Sequence, residues 1–514
     1  GLHEKGLEVV QVGLGLDTYH SDLNYTAGIN YLAVSDLVNA KESLGWAARS
    51  MKYRSTANTH LSQIALLEGN YKDALHYANQ ALDFNTKNVT ALSYRYLASK
   101  ASNRNKLAEQ ALKNLKTIDP LHHLISFELY LDKKITLEEV KATHRSEFPY
   151  QSFLELAILY YNTGFNSKAL TVLETSPKHM LTSLWMAFIS KDNTFLKETF
   201  EATVDFVFPF RRETASILQW VNSKSNHWKA SYLLALNLIG LNQKEKGKSL
   251  LNKLNSQPNT ANFYWIRSQL ATDPMSQQAQ SDLEKAYEKD PINWRIALDY
   301  GDLLEEKNLF KEALHILDKT QRQHPDNFRI GLRKAEVLNS LKEYEKSIDL
   351  LSKLQVLPYE HATGSRKIYT QAYWGSTLNA IQKGRWNEAK KLVEQALKWP
   401  EQLGVGKPFD PEERLSLMFL AFIEKQIGSE SEFYLEKIVD YSKKNLDAGG
   451  KNCAIGLFAI MFTEGKESAN IYAKQLQQIS SENPEIQEAL AFFFTNQTKE
   501  LSIKFLEQLK DFIQ

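Results

Sequence analysis

GNYKDALHYANQALDFN, residues 69–85, reads as the close of one helix, a turn and a complete second helix. Gly69 ends the first helix, Tyr71 fills the turn, and Ala74 and Ala78 lie on the packing face, with Ala81 seven residues after Ala74. An alanine on that face lets two antiparallel helices approach closely, where a larger side chain would push the backbones apart. The pattern continues outward. Ala40, Ala74 and Ala108 stand 34 residues apart, and Ala279, Ala313 and Ser347 keep the same step.

Each step carries its own punctuation. Gly301 is the small residue of a first helix, Phe310 fills its turn, and Pro325 ends the second helix. Pro120 and Pro291 occupy equivalent ends, where a missing N–H and a fixed φ stop a helix. Trp386, Ala389 and Ala396 repeat the aromatic-then-alanine spacing, Gly164 and Ala169 mark another unit, and Gly28 and Ala47 flank Ala40 in a looser one. A 34-residue period of paired helices resembles the tetratricopeptide repeat, whose units stack on their neighbours. The expected fold is all-α: a right-handed α-solenoid of tetratricopeptide-like helix pairs, roughly a dozen of them, with a C-terminal capping helix.

Composition agrees with a folded chain: 514 residues, 43% hydrophobic and 24% charged. Lys and Arg number 62 against 61 Asp and Glu, a balance that gives no general attraction to nucleic acid or anionic membranes. The lone Cys453 excludes internal disulfides and a thiolate zinc cluster. No run reaches the ~18 apolar residues of a membrane span, and CAIGLFAIMF, residues 453–462, reads as a buried helix. The opening GLHEKGLEVV lacks the regions of a signal peptide.

The register divides the chain into regular repeats over 1–128, irregular helices and a connector over 129–225, repeats with long loops over 226–445, and last helices with a cap over 446–514. Within the second stretch, VFPFRRE (207–213) is an apolar connector in which Pro209 forbids a continuous helix. The spacing widens at LPYEHATGSRK (357–367) and at the loop beginning at Trp399, while Asp447, Gly449 and Gly450 separate the last helices. The order of DPLHH (119–123), VFPFRRE, HWKASYLLAL (227–236) and LGVGKPFDPEER (403–414) resembles one family of large proteins. These carry an N-terminal β-sandwich region of uncharacterised function before a long repeat region, and LDTYHSDLNYTAGINY (16–31) and MKYRSTANTHLSQIAL (51–66) are similar to where those repeats start. The resemblance implies a β-sandwich elsewhere in a longer polypeptide and a link to carbohydrate handling, and it transfers no catalytic residue.

No catalytic motif, cofactor site or metal site is expected. Gly404, Gly406 and Lys407 lack the spacing and the Ser/Thr of a phosphate loop, and adjacent His122 and His123 point about 100° apart on a helix. In repeats of this kind the first helix of each pair lines the concave side. That alignment places Tyr25, Tyr232, Tyr264 and Trp374 inward, where aromatics either pack on adjacent helices or stack on a sugar or peptide. Arg295, Asp302, Glu305, Glu306 and Glu336 form a mostly acidic inner patch, opposite in sign to a groove that grips a C-terminal carboxylate. Phe208, Arg211, Arg212 and Lys407 are candidate docking-loop residues, with an acid such as Glu213 the expected partner of the arginines. Two functions follow. The first is a non-enzymatic scaffold for a protein segment or for its own β-sandwich region. The second is an accessory region of a carbohydrate-active protein whose aromatic groove binds glycan.

Overall fold

The computed structural model describes residues 2–144, 146–254, 257–358, 363–446, 450–479, 483–496, 498 and 500–513. Residues 359–362 of the widened loop, and Asp447 and Gly449 from the expected boundary, lie outside the described residues. Among the described residues there are thirty α-helices, two 3-10 turns and no strand. The chain forms two compact units, residues 1–259 and 260–514.

In the first unit, hairpins form from Ser21–Ala33 with Leu37–Ala47, Arg54–Leu67 with Tyr71–Phe84, Val89–Ala101 with Asn105–Ile118, and Pro149–Tyr161 with Asn166–Thr175. In the second they include Ala261–Gln269 with Gln277–Lys289, Trp294–Glu306 with Phe310–Gln323, and Phe328–Ser340 with Tyr344–Lys353. One device recurs where the two helices of a hairpin cross. A small residue of the first helix is followed twelve positions later by a small residue of the second, and both are buried: Gly28 and Ala40, Ser62 and Ala74, Ala157 and Ala169, Ala235 and Gly247, Gly301 and Ala313, and Ala335 and Ser347. At two crossings a hydroxyl bridges the helices. Ser62 Oγ donates to the Ala74 carbonyl at 2.8 Å, and Ser347 Oγ donates to the Ala335 carbonyl at 3.0 Å. The turns share a second device, a residue in the left-handed region: Ser35, Gly69 and Asn103 at one 34-residue step, Asn308 and Lys342 at another.

Two crossings break the small-residue rule. Tyr96 stands opposite Ala108, and its hydroxyl donates at 2.8 Å to Glu128, which is 1% exposed. Tyr160 Oη donates to the same carboxylate at 2.6 Å and Lys168 Nζ at 2.5 Å, so three helices beyond the one bearing Glu128 converge on it. Arg267 stands opposite Ala279 and clasps the fully buried Asp282 with Nε at 2.7 Å and Nη2 at 2.6 Å. A buried charge is tolerable only when so paired.

The apolar run at 453–462 forms the helix Cys453–Thr463, buried from Cys453 through Ile460. Phe458 gathers Phe493 and Phe505 edge-on at centroid distances of 5.1 and 4.6 Å. The final helix, Ile503–Ile513, buries Phe505, Leu506 and Leu509 and reaches back to the helix Gly364–Gln382, where Gln382 Nε2 donates to Glu507 Oε1 at 2.5 Å. It covers more than the last pair.

Two glycines at helix crossings should respond oppositely to a methyl group. At Gly301 a Cβ would lie 3.6–4.0 Å from Leu317, an ordinary contact, so Gly301→Ala is expected to stabilise by about 0.5–1 kcal/mol. At Gly375 it would run into the Tyr344 ring, so Gly375→Ala is expected to destabilise by about 1–3 kcal/mol. Urea melts of the two variants returning shifts of one sign would refute this account of the crossings.

Candidate functional site

In the unit 260–514, three successive first helices, Ala261–Gln269, Trp294–Glu306 and Phe328–Ser340, place Trp265, Asp299 and Arg333 at one repeat position, 34 residues apart. Neighbouring helices are joined through them. Trp265 Nε1 donates to Asp299 Oδ2 at 2.6 Å, and Gln269 Nε2 adds a bond at 2.8 Å. Arg333 Nε lies 2.6 Å from Asp302 and 3.1 Å from Glu305, while Nη1 lies 2.6 Å from Glu336. Asp302, Glu305 and Glu336, grouped from the sequence as one acidic patch, are brought together here around a cation that reading missed. Arg333 and Asp299 could have been found from their own 34-residue spacing to Trp265.

Three carboxylates face one guanidinium here, with Asp299 alongside held by Trp265 and Gln269, so the cluster keeps an acidic excess. Burial, opposed by Arg333, raises Asp302 above the usual carboxylate range and Glu305 to about 7, with Glu336 and Asp302 as like-charged neighbours of Glu305. Burial raises Asp299 as well. The side chains differ in access: Glu305 is 13% exposed, Glu336 42% and Asp302 48%. Two of the expected members stand apart from the cluster. Arg295 is exposed and lays its guanidinium 4.4 Å above the Trp294 ring, and Glu306 is exposed beyond the cluster.

The four aromatics expected along the groove are packed. Tyr25 stacks on Tyr53 with centroids 4.4 Å apart. Tyr232 and Tyr264 are 4% and 5% exposed, and burial pushes the Tyr232 phenol up to about 12. Trp374 packs its ring into the core of the C-terminal helices and donates Nε1 to Ser416 Oγ at 2.8 Å. Their ring faces serve helix packing, because the first helix of each pair also seats against its neighbours.

The docking-loop residues fall in two places. Arg211 pairs with Glu155 at 3.4 Å rather than with Glu213, Arg212 is exposed at the start of the helix Arg212–Lys224, and Phe208 is 55% exposed. Within the connector Val207, 4% exposed, and Pro209 are buried, while the phenylalanines between and after them are not. Lys407 pairs with Glu413 at 3.2 Å and borders a cleft of about 580 Å³ walled by Tyr369, Tyr373 and Trp399. The adjacent histidines are structural. His122 Nδ1 caps the helix His123–Leu131 by accepting from the Leu124 N–H at 3.3 Å, and the His123 ring stacks on His144 at 4.0 Å. Among the described residues no group of three His, Cys, Asp or Glu side chains is arranged to hold a metal ion, and no helix is long and apolar enough to cross a membrane.

A tetratricopeptide-repeat family model matches residues 276–330, the stretch that carries Asp299, Asp302 and Glu305. No curated protein matches. Among solved structures, the chain is similar to a structure of Naa15/Naa10 bound to HypK-THB, at 14% identity over 99% of this chain and 92% of that one, with a TM-score of 0.31. It is similar to yeast Tom70 at 14% identity, over 95% and 96%, with a TM-score of 0.29. It is similar to Pseudomonas aeruginosa PilF at 16% identity, over 51% and 96%, with a TM-score of 0.27.

The raised Glu305 carboxyl has a signature in stability. Below the unfolded value of 4.5 both states are protonated; between 4.5 and about 7 the unfolded chain releases the proton first, so stability falls as pH rises through that window. Glu305→Gln should remove part of that fall and leave stability below pH 4 unchanged. Identical pH–stability curves for the two proteins would rule the assignment out.

Proposed function

We propose that this chain is a non-enzymatic protein-interaction scaffold whose unit 260–514 grips a positively charged segment of a partner. The observation that carries the reading is the excess of carboxylate over guanidinium among Asp299, Asp302, Glu305, Arg333 and Glu336. Arg333 holds the acids in place by joining two successive first helices, and the half-exposed oxygens of Asp302 and Glu336 are left to meet a cation. Such complementarity favours basic partners and repels acidic ones. The family resemblance offers one specific occupant, a β-sandwich region of the same polypeptide, which would need a basic loop to sit here.

Glycan binding is the second reading, and its support is the cleft by Lys407. Tyr373 and Trp399 offer aromatic surface there, and Gln395 and Gln402 offer amide groups, a mixture suited to a sugar ring and its hydroxyls. Tyr25, Tyr232, Tyr264 and Trp374 lend it no support, because their rings are committed to packing.

A fluorescein-labelled ten-residue peptide alternating Lys and Leu separates these readings by fluorescence polarisation. The scaffold reading expects binding that weakens at least tenfold in the Asp302→Asn, Glu336→Gln double variant, fades with salt, and strengthens from pH 6 to pH 8 as Glu305 ionises. Equal binding of the Glu-for-Lys peptide, or no loss in the variant, would count against it. A neutral oligosaccharide that alters tryptophan fluorescence in the native chain but not in Trp399→Ala would favour the cleft.

A further inference from the structure

Residues 202–211 join the helix Thr194–Glu201 to the helix Arg212–Lys224 without regular structure, and their three phenylalanines face solvent. Phe206 is 74% exposed, and Phe208 and Phe210 are each 55% exposed. The segment is nevertheless fixed in place by its main chain. The fully buried Asn237 donates Nδ2 to the carbonyls of Pro209 and Arg211 at 3.2 and 3.0 Å, and Lys229 Nζ donates to those of Phe200 and Ala202 at 2.5 Å. Phe206 sits in the left-handed region at φ +58°, a conformation that costs an L-residue energy. Three phenylalanines held outward on an anchored segment mark an interaction surface, because isolated proteins seldom expose such patches.

The backbone indicates the form of the partner. Pro209 confines Phe208 to extended geometry, and Arg211 is extended at φ −76°, ψ 139°. In an extended chain alternate residues turn their N–H and C=O groups to opposite sides. Asn237 occupies the side of Pro209 and Arg211, so the groups of Phe208 and Phe210 turn the other way, where they have no main-chain partner among the described residues. Next in sequence, Arg212 is exposed and forms no ion pair among the described residues.

We propose that residues 206–212 are a docking edge for an extended segment of a partner protein. The partner strand pairs its main chain with Phe208 and Phe210, lays alternate apolar side chains on the phenyl rings, and sets a carboxylate against Arg212. A helix cannot fill this role, since its main-chain groups are already bonded internally, whereas strand addition uses unpaired edges of this kind. The site lies in the unit 1–259 and stands independently of the acidic face proposed above.

The test uses the full chain and a fluorescein-labelled eight-residue peptide of alternating Val and Thr with two glutamates at the end that would meet Arg212. Saturable binding is expected, weakened at least tenfold by Phe208→Ser with Phe210→Ser and at least threefold by Arg212→Glu. The same peptide N-methylated at alternate amides should not bind, and hydrogen exchange at the Phe210 amide should slow in the complex. Thermal melts check that the serine pair folds; if it does not, Arg212→Glu and the N-methylated peptide decide the matter. Three results would each overturn the proposal: no binding, equal binding of the peptide with lysines in place of glutamates, or self-association of the native chain that the serine pair abolishes, which would make a second copy the occupant.

Discussion

The close crossing of two helices, twelve residues apart along the chain, is the constraint on which the rest of this structure depends. Backbones that approach this closely leave room for a hydrogen, a methyl or a hydroxymethyl group, and the crossings at Ala40, Ala74, Ala169, Ala313 and Ser347 are filled accordingly. Short helices of this kind are marginal alone, so each gains its stability from its partner and from the next pair. The crossing therefore sets both the hairpin and the surface on which the following hairpin is laid. Where a large residue stands at that position, as with Tyr96 and Arg267, the chain supplies a buried carboxylate, Glu128 or Asp282, to receive its polar end.

The carboxylate face of the unit 260–514 is a by-product of the same regularity. A 34-residue step returns equivalent side chains to equivalent places, so Trp265, Asp299 and Arg333 come into line and bond across the helices that carry them. Charge is then concentrated by repetition rather than by composition, which is why a chain of net charge +1 can carry an acidic surface.

Much of the architecture was legible because small side chains at a fixed period have few other causes. The period disclosed the crossings at Ala74 and Ala313 and placed Asp302, Glu305 and Glu336 on neighbouring helices, while unbroken apolar composition disclosed the helix at 453–462. It did not disclose Arg333 as their centre, because a list of acids at inner positions says nothing about which cation is within reach. Nor did it separate ring from groove at Tyr232 and Tyr264, since an inward position in a curved stack can face either the hollow or the adjoining helix. The connector at 207–213 was legible in outline only. Pro209 announced the break in the helix, but no letter of the stretch says that Asn237 secures its main chain while Phe208 and Phe210 stay outside.

Glu128 bears on how the first unit can come apart. A stack joined only by apolar seams can fray pair by pair from an end, each loss nearly independent of the rest. A single carboxylate shared by Tyr96, Tyr160 and Lys168 binds helices from three different stretches into one knot. Loss of Lys168 would leave that carboxylate in the interior with neutral donors alone, so this part of the chain should melt as a block rather than shed its helices one pair at a time.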